Sequence, residues 1–281
     1  MIREHLMRRE HVEKGGFRWR GVEITRLEAL SDAVFGFAIT LLVVSLQVPG
    51  TFTELLGLLR GLPAFAASFA LLFLVWLNQH RFYRRYGLED GTTTFLNAVL
   101  LFVILFFVYP LKFVFQIVVA VMLGPAWYPD PGRTHGDVLA PGQQPLMMMV
   151  FGAGYVAVFG IFVLLNLHAY RLRDELELDE VERFETRDNL REAGMNVGIG
   201  AVSMLLAAFG GPTATVLSGL AYWLVGPAMT INGFATRAAR KRLQARLAAQ
   251  AAGRPAPVQP AFGGERGAVA GAGEATDAWD R

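Results

Sequence analysis

The chain has no cysteine, which excludes disulfides and thiolate metal sites and leaves its redox compartment open. Histidine is scarce, and His135 and His168 stand without metal-ligand spacing. Charge is sparse, at 18% of 281 residues with a balance of +2, too little to separate the apolar runs as in a soluble domain of this size. Also missing are a phosphate-cradling glycine motif, paired catalytic carboxylates and a Ser/His/Asp constellation in a catalytic setting. Neither an enzyme nor a cofactor is expected, and no nucleic-acid partner. Residues 1–28 lack a short apolar core with a small-residue cleavage site, which argues against a signal peptide.

What is present is apolar. Hydrophobic residues make up 53% of the chain, in six stretches of roughly 18 to 25 residues, the length that crosses about 30 Å of hydrocarbon. The pattern predicts transmembrane helices near 30–48, 62–80, 94–118, 146–168, 193–210 and 212–234. Pro63 falls in the first turn of the second, where proline is tolerated. Gly210, Gly211 and Pro212 leave almost no loop between the last two, which can also be read as one broken segment, although that segment is too long for a single span.

Basic residues set the orientation. Arg3, Arg8, Arg9, Lys14, Arg18, Arg20 and Arg26 precede the first span, and only Arg60 follows it. Arg81, Arg84 and Arg85 follow the second span, Arg133 the third, and Arg171, Arg173, Arg183, Arg187 and Arg191 the fourth. The short fifth connection has none, and Arg237, Arg240, Lys241, Arg242 and Arg246 follow the sixth span. The alternation puts both termini in the cytoplasm. The expected organisation is a basic arm over 1–22, a six-helix membrane domain over 23–235, a basic cytoplasmic helix over 236–250 and a disordered Gly/Ala/Pro tail over 251–281. Residues 119–145 read as an external loop. Residues 170–190 read as a charged connector continuing the fourth helix, its acidic run from Glu175 to Glu182 solvated. Lys112 can snorkel from the outer end of the third helix, and Asn97, Asn166 and Asn232 are expected to bond between helices.

The densest signal is RLEALSDAVFGFAITLLVVSLQVP, from Arg26 to Pro49. A carboxylate at the start of an apolar run is costly unless it has a partner or lines water. Phe37, Leu41, Val44 and Val48 recur on one helical face. By itself such a face is ordinary lipid-facing or packing surface. Asp32 near a helix start is also a favourable dipole partner, and Arg26 a routine interfacial anchor.

Arg26, then three residues, then Leu30-Ser31-Asp32 resembles the arginine-x-x-x-phenylalanine-serine-aspartate signature of the transmembrane protein 175 family, the potassium-permeable channels of lysosomes and their prokaryotic relatives. Trp76-Leu77-Asn78-Gln79-His80-Arg81 resembles that family's tryptophan-x-asparagine-histidine-histidine segment, and Phe95-Leu96-Asn97 leading to Tyr109-Pro110 is a third match. Leu30 stands where the motif has phenylalanine, Gln79 where it has the first histidine, and Phe37 where isoleucine or leucine is usual.

The resemblance implies an all-α integral membrane protein, a homotetramer of single-repeat six-helix subunits in a prokaryotic cell membrane, with the first helices around a potassium path. It places a hydrophobic constriction at Phe37, Leu41 and Val44, and Thr40 beside it in ion preference. Apolar rings offer no ligand to the ion, so conduction through them rests on diameter and wetting, and potassium selectivity is expected to be modest. Arg26, Ser31, Asp32, Trp76, Asn78 and His80 are implied as a motif network near the cytoplasmic entrance, with Asp32 and His80 within reach of each other. That network can be structural or can attract cations. Two other classes stay open: a secondary or proton-coupled transporter, for which Asp32 and His80 argue but no midplane polar site is visible, and a non-transporting scaffold.

Overall fold

The computed structural model describes residues 17–21, 23–44, 48–127, 138–140 and 142–253. Among them, helices α1 (Arg26–Val44), α2 (Phe52–Arg60), α3 (Leu62–Tyr86), α4 (Gly91–Leu123), α5 (Gln144–Arg171), α6 (Glu180–Phe209), α7 (Gly211–Ala221) and α8 (Val225–Ala252) carry the fold. Six segments are long and apolar enough to cross a membrane: α1, α3, α4, α5, α6 and the run from Ala214 to Gln250 through α7 and α8.

Local chemistry fixes the ends. Thr25 Oγ1 accepts the Glu28 N–H at the start of α1, and Asp90 caps α4 through the Thr92 N–H. Gly87, at φ 59°, closes α3 in the left-handed conformation that glycine adopts without strain. At α6, the Asp179 side chain accepts the Glu182 N–H while the Glu182 carboxylate accepts the Asp179 N–H, a capping box that starts the helix well ahead of its apolar stretch.

The structure revises the expected boundaries on these points. The first span is Arg26–Val44 rather than 30–48, and Val48 lies beyond the helix. Between the first two spans sits α2, capped by Thr51 and too short to register as a span. The charged connector does not continue the fourth helix: α5 stops at Arg171, a turn follows, and the acidic residues become the first turn of α6. Gly210 ends α6 and Gly211, at φ 70°, begins α7, so the last two spans are separate. The basic segment over 236–250 is helical, as the C-terminal part of α8, which runs through it unbroken. Most of the arm over 1–22, residues 128–137 of the external loop and the tail from 254 lie outside the described residues.

Helix α5 packs along α6 and against α4, and α4 also contacts α1 and α3. Small residues permit this closeness, as is usual between helices in lipid. A Cβ on Gly154 would come 2.1 Å from Cδ2 of Phe107, and one on Gly200 would come 2.7 Å from Val156.

Residues 17–21 form a strap across one end of the bundle. Phe17 is fully buried, edge-on to Tyr86 at 5.7 Å and under the Arg85 guanidinium at 4.8 Å. The Arg20 and Gly21 N–H groups both donate to the Arg84 carbonyl. The side chains of Arg18 and Arg20 close on Glu182, whose carboxylate also receives the Arg18 N–H at 2.8 Å. Beside the strap, Arg85 lies 3.4 Å and Arg240 3.0 Å from Glu185, which ties α3 and α8 to α6.

Candidate functional site

Helix α1 has two unlike faces. Ser31, Phe35, Ala38 and Leu42 are buried, Phe35 at 2% exposure, where α1 meets α3 and α4. On the other side Phe37 is 59% and Val44 69% exposed. Leu41, at the margin, is half-buried against the core. Thr40 is exposed, and its hydroxyl donates to the Gly36 carbonyl at 2.9 Å, the local bond that threonine commonly makes in membrane helices.

Polar side chains anchor the buried face. The Ser31 hydroxyl donates to the Leu27 carbonyl at 2.8 Å and accepts from Asn97 Nδ2 at 2.9 Å. The Asn97 carbonyl oxygen in turn accepts from Gln79 Nε2. Ser31, Asn97 and Gln79 are all buried, so one hydrogen-bonded chain joins α1, α4 and α3, and each member answers the others' need for a partner.

A second set of polar contacts flanks Ser31 on α1, at Asp32 just after it and at Glu28 one turn before. Trp76 Nε1 donates to Asp32 Oδ1 at 2.7 Å, and the Trp76 ring stacks on His80 with centroids 5.3 Å apart. His80 Nδ1 is 3.3 Å and Arg84 Nε 3.6 Å from Glu28 Oε1. The expected pairing of Asp32 with His80 is therefore replaced. Asp32 is bonded by Trp76 and His80 faces the buried Glu28, because Glu28 lies one turn earlier on the helix and points inward. Arg26 is exposed and bonds to neither set among the described residues, and Asn78 opens onto a separate cavity.

Sequence reasoning missed Glu28 and gave Gln79 and Asn97 no shared role. Thr25-x-x-Glu28 carried a readable signal, since Ser/Thr followed three residues later by Glu marks a helix start. Nothing in the sequence alone pairs Gln79 with Asn97.

Elsewhere, Asp90 lies 2.9 Å from His168 Nε2. Burial pushes the Asp90 carboxyl up, but the Thr93 hydroxyl, His168 and the Thr92 N–H together hold it below the ordinary carboxylate range. Asn232 bonds Glu192 at 3.1 Å across helices, whereas Asn166 bonds the Phe162 carbonyl of its own helix. Among the described residues no group of three or more His, Asp or Glu side chains is placed to hold a metal ion.

Comparison with known proteins bears on this arrangement. Residues 26–107 match the family model described as the endosomal/lysosomal potassium channel TMEM175. A potassium channel of Marivirga tractuosa is 34% identical over 230 residues, spanning 81% of this chain and 93% of the relative. A potassium channel of Chamaesiphon minutus is 36% identical over 96 residues, 31% of this chain and 47% of that protein. Among solved structures, a variant of the potassium channel MtTMEM175, crystallised in complex with a nanobody–MBP fusion, superposes with a TM-score of 0.70 at 32% identity. That match covers 80% of this chain and 99% of the other.

Proposed function

This chain belongs to the prokaryotic TMEM175 family and is a multi-pass membrane protein, and from that premise we propose that it is a potassium-permeable channel whose α1 helices line the ion path. In this reading four copies assemble around an axis, both termini are cytoplasmic, and the membrane is the plasma membrane of a prokaryote. Phe37, Leu41 and Val44 form the constriction, with Thr40 beside it.

One observation carries the proposal. The face of α1 that bears Phe37 and Val44 is uncovered in the subunit, while the opposite face is held by the Ser31–Asn97–Gln79 chain and the Asp32–Trp76 bond. A helix clamped on one side and bare on the other can line a shared path when copies of the subunit meet. Rings of Phe37 and Val44 would gate by diameter and dewetting rather than by ion ligation. The Asp32 carboxylates near the start of α1 would supply negative charge at the cytoplasmic mouth.

The test is potassium flux from liposomes holding wild type, Phe37→Ala or Phe37→Asn. Widening or hydrating the ring raises flux and weakens discrimination against sodium. Unchanged flux in both variants moves the constriction elsewhere, and flux that runs only against an opposed proton gradient replaces the channel with a coupled transporter.

A further inference from the structure

Away from α1, the space between α3, α5, α6 and α8 encloses a cavity of about 270 Å³. Its inner wall is apolar, formed by Leu71, Phe159, Phe162, Val225 and Met229. Its other end is polar and opens where α3 ends and α6 begins, with Asn78, Arg81, Arg85 and Glu192 around the mouth.

Most of these polar groups are already engaged. Arg85 is 3.4 Å from Glu185 and lies over the Phe17 ring, and Glu192 accepts from Asn232. Asn196, which also lines the space, accepts from the Tyr155 hydroxyl at 2.5 Å. Arg81 and Asn78 are different. They are exposed and one helical turn apart on α3, and neither makes a hydrogen bond or ion pair among the described residues, although Arg81 stands close enough to Glu192 to favour its ionised form. A guanidinium at the rim of an apolar cleft presents a fork of donors suited to carboxylate or phosphate. The volume lies near the lower bound for ligand pockets, so it takes one chain and not a two-chain lipid in full.

We propose that this cavity binds an amphiphile with an anionic head, a carboxylate or phosphate ester held by Arg81 and Asn78, and one alkyl chain laid along Leu71, Phe159 and Val225. The site is independent of the pore, since none of its residues lies on α1. A membrane lipid inserting one acyl chain and a free single-chain amphiphile share this chemistry.

The probe is decyl phosphate carrying a photoreactive diazirine on its chain, applied to the full protein in phosphatidylcholine nanodiscs, with labelled peptides mapped by mass spectrometry. Saturable labelling around Leu71, Phe159 and Val225 is expected, displaced by unlabelled decyl phosphate and not by inorganic phosphate. Arg81→Gln weakens it about ten-fold, the worth of one charge-assisted contact. Arg60→Gln, on the opposite side of the bundle, leaves it unchanged. Displacement by added phosphatidylglycerol identifies the occupant as bilayer lipid, and persistence in its presence identifies a free amphiphile. The proposal is overturned by labelling that never saturates, or by equal labelling in wild type and an Arg81→Gln protein that elutes and melts like wild type.

Discussion

Glu182 shows how much a single side chain can organise at the end of this bundle. It caps its own helix, and with no exposed surface of its own it holds Arg18 and Arg20 of the strap. The two arginines are not equivalent. The Arg20 side chain is 19% exposed and lies 2.7 Å from the carboxylate, whereas that of Arg18 is 51% exposed at 3.3 Å. Water screens Arg18 and leaves Arg20 as the closer and better-buried charged partner of Glu182. Arg20→Ala is therefore expected to destabilise the protein by about 3 kcal/mol, and Arg18→Ala by less than about 1 kcal/mol. Thermal unfolding of the detergent-purified variants checks this, and equal losses would mean that the strap is held by Phe17 rather than by charge.

At the level of helices, approach distance is set by glycine. Gly154 on α5 faces the Phe107 ring of α4 with no room for a methyl group. Gly154→Ala should cost about 1–3 kcal/mol through overpacking, and Phe107→Leu in the same chain should recover much of it. Melting curves of the single and double variants decide this, and a double variant no better than Gly154→Ala would place the strain elsewhere. The spans themselves were legible as apolar runs, because hydrocarbon thickness imposes a length. Their ends were not, since a helix outside hydrocarbon need not be apolar: α6 begins in an acidic segment and α8 runs on through a basic one. Helix α2 is amphipathic and only 9 residues long, below any span criterion. At the candidate site, the Arg26–Asp32 motif was visible in the sequence and the Phe37 face followed from helical spacing. The exchange of partners between Asp32, His80 and Glu28 depends on how far α3 slides along α1, which spacing within one helix does not encode.

For the molecule as a whole, exposed apolar surface is ordinary. Phe102, Phe106 and Phe209 are all more exposed than Phe37, as expected for side chains in contact with lipid. What sets α1 apart is that its bare face adjoins a polar anchor at one end, so the account stands on whether that face meets water or acyl chains. The chain has no cysteine, so single-cysteine variants need no background substitutions. The most direct measurement is potassium flux through liposomes bearing Phe37→Cys or, as a buried control, Phe35→Cys, before and after a membrane-impermeant cationic thiol reagent. A water-filled path along the Phe37 face means that the reagent removes most of the flux in Phe37→Cys and none in Phe35→Cys. Robust flux through Phe37→Cys that the reagent leaves untouched would contradict it.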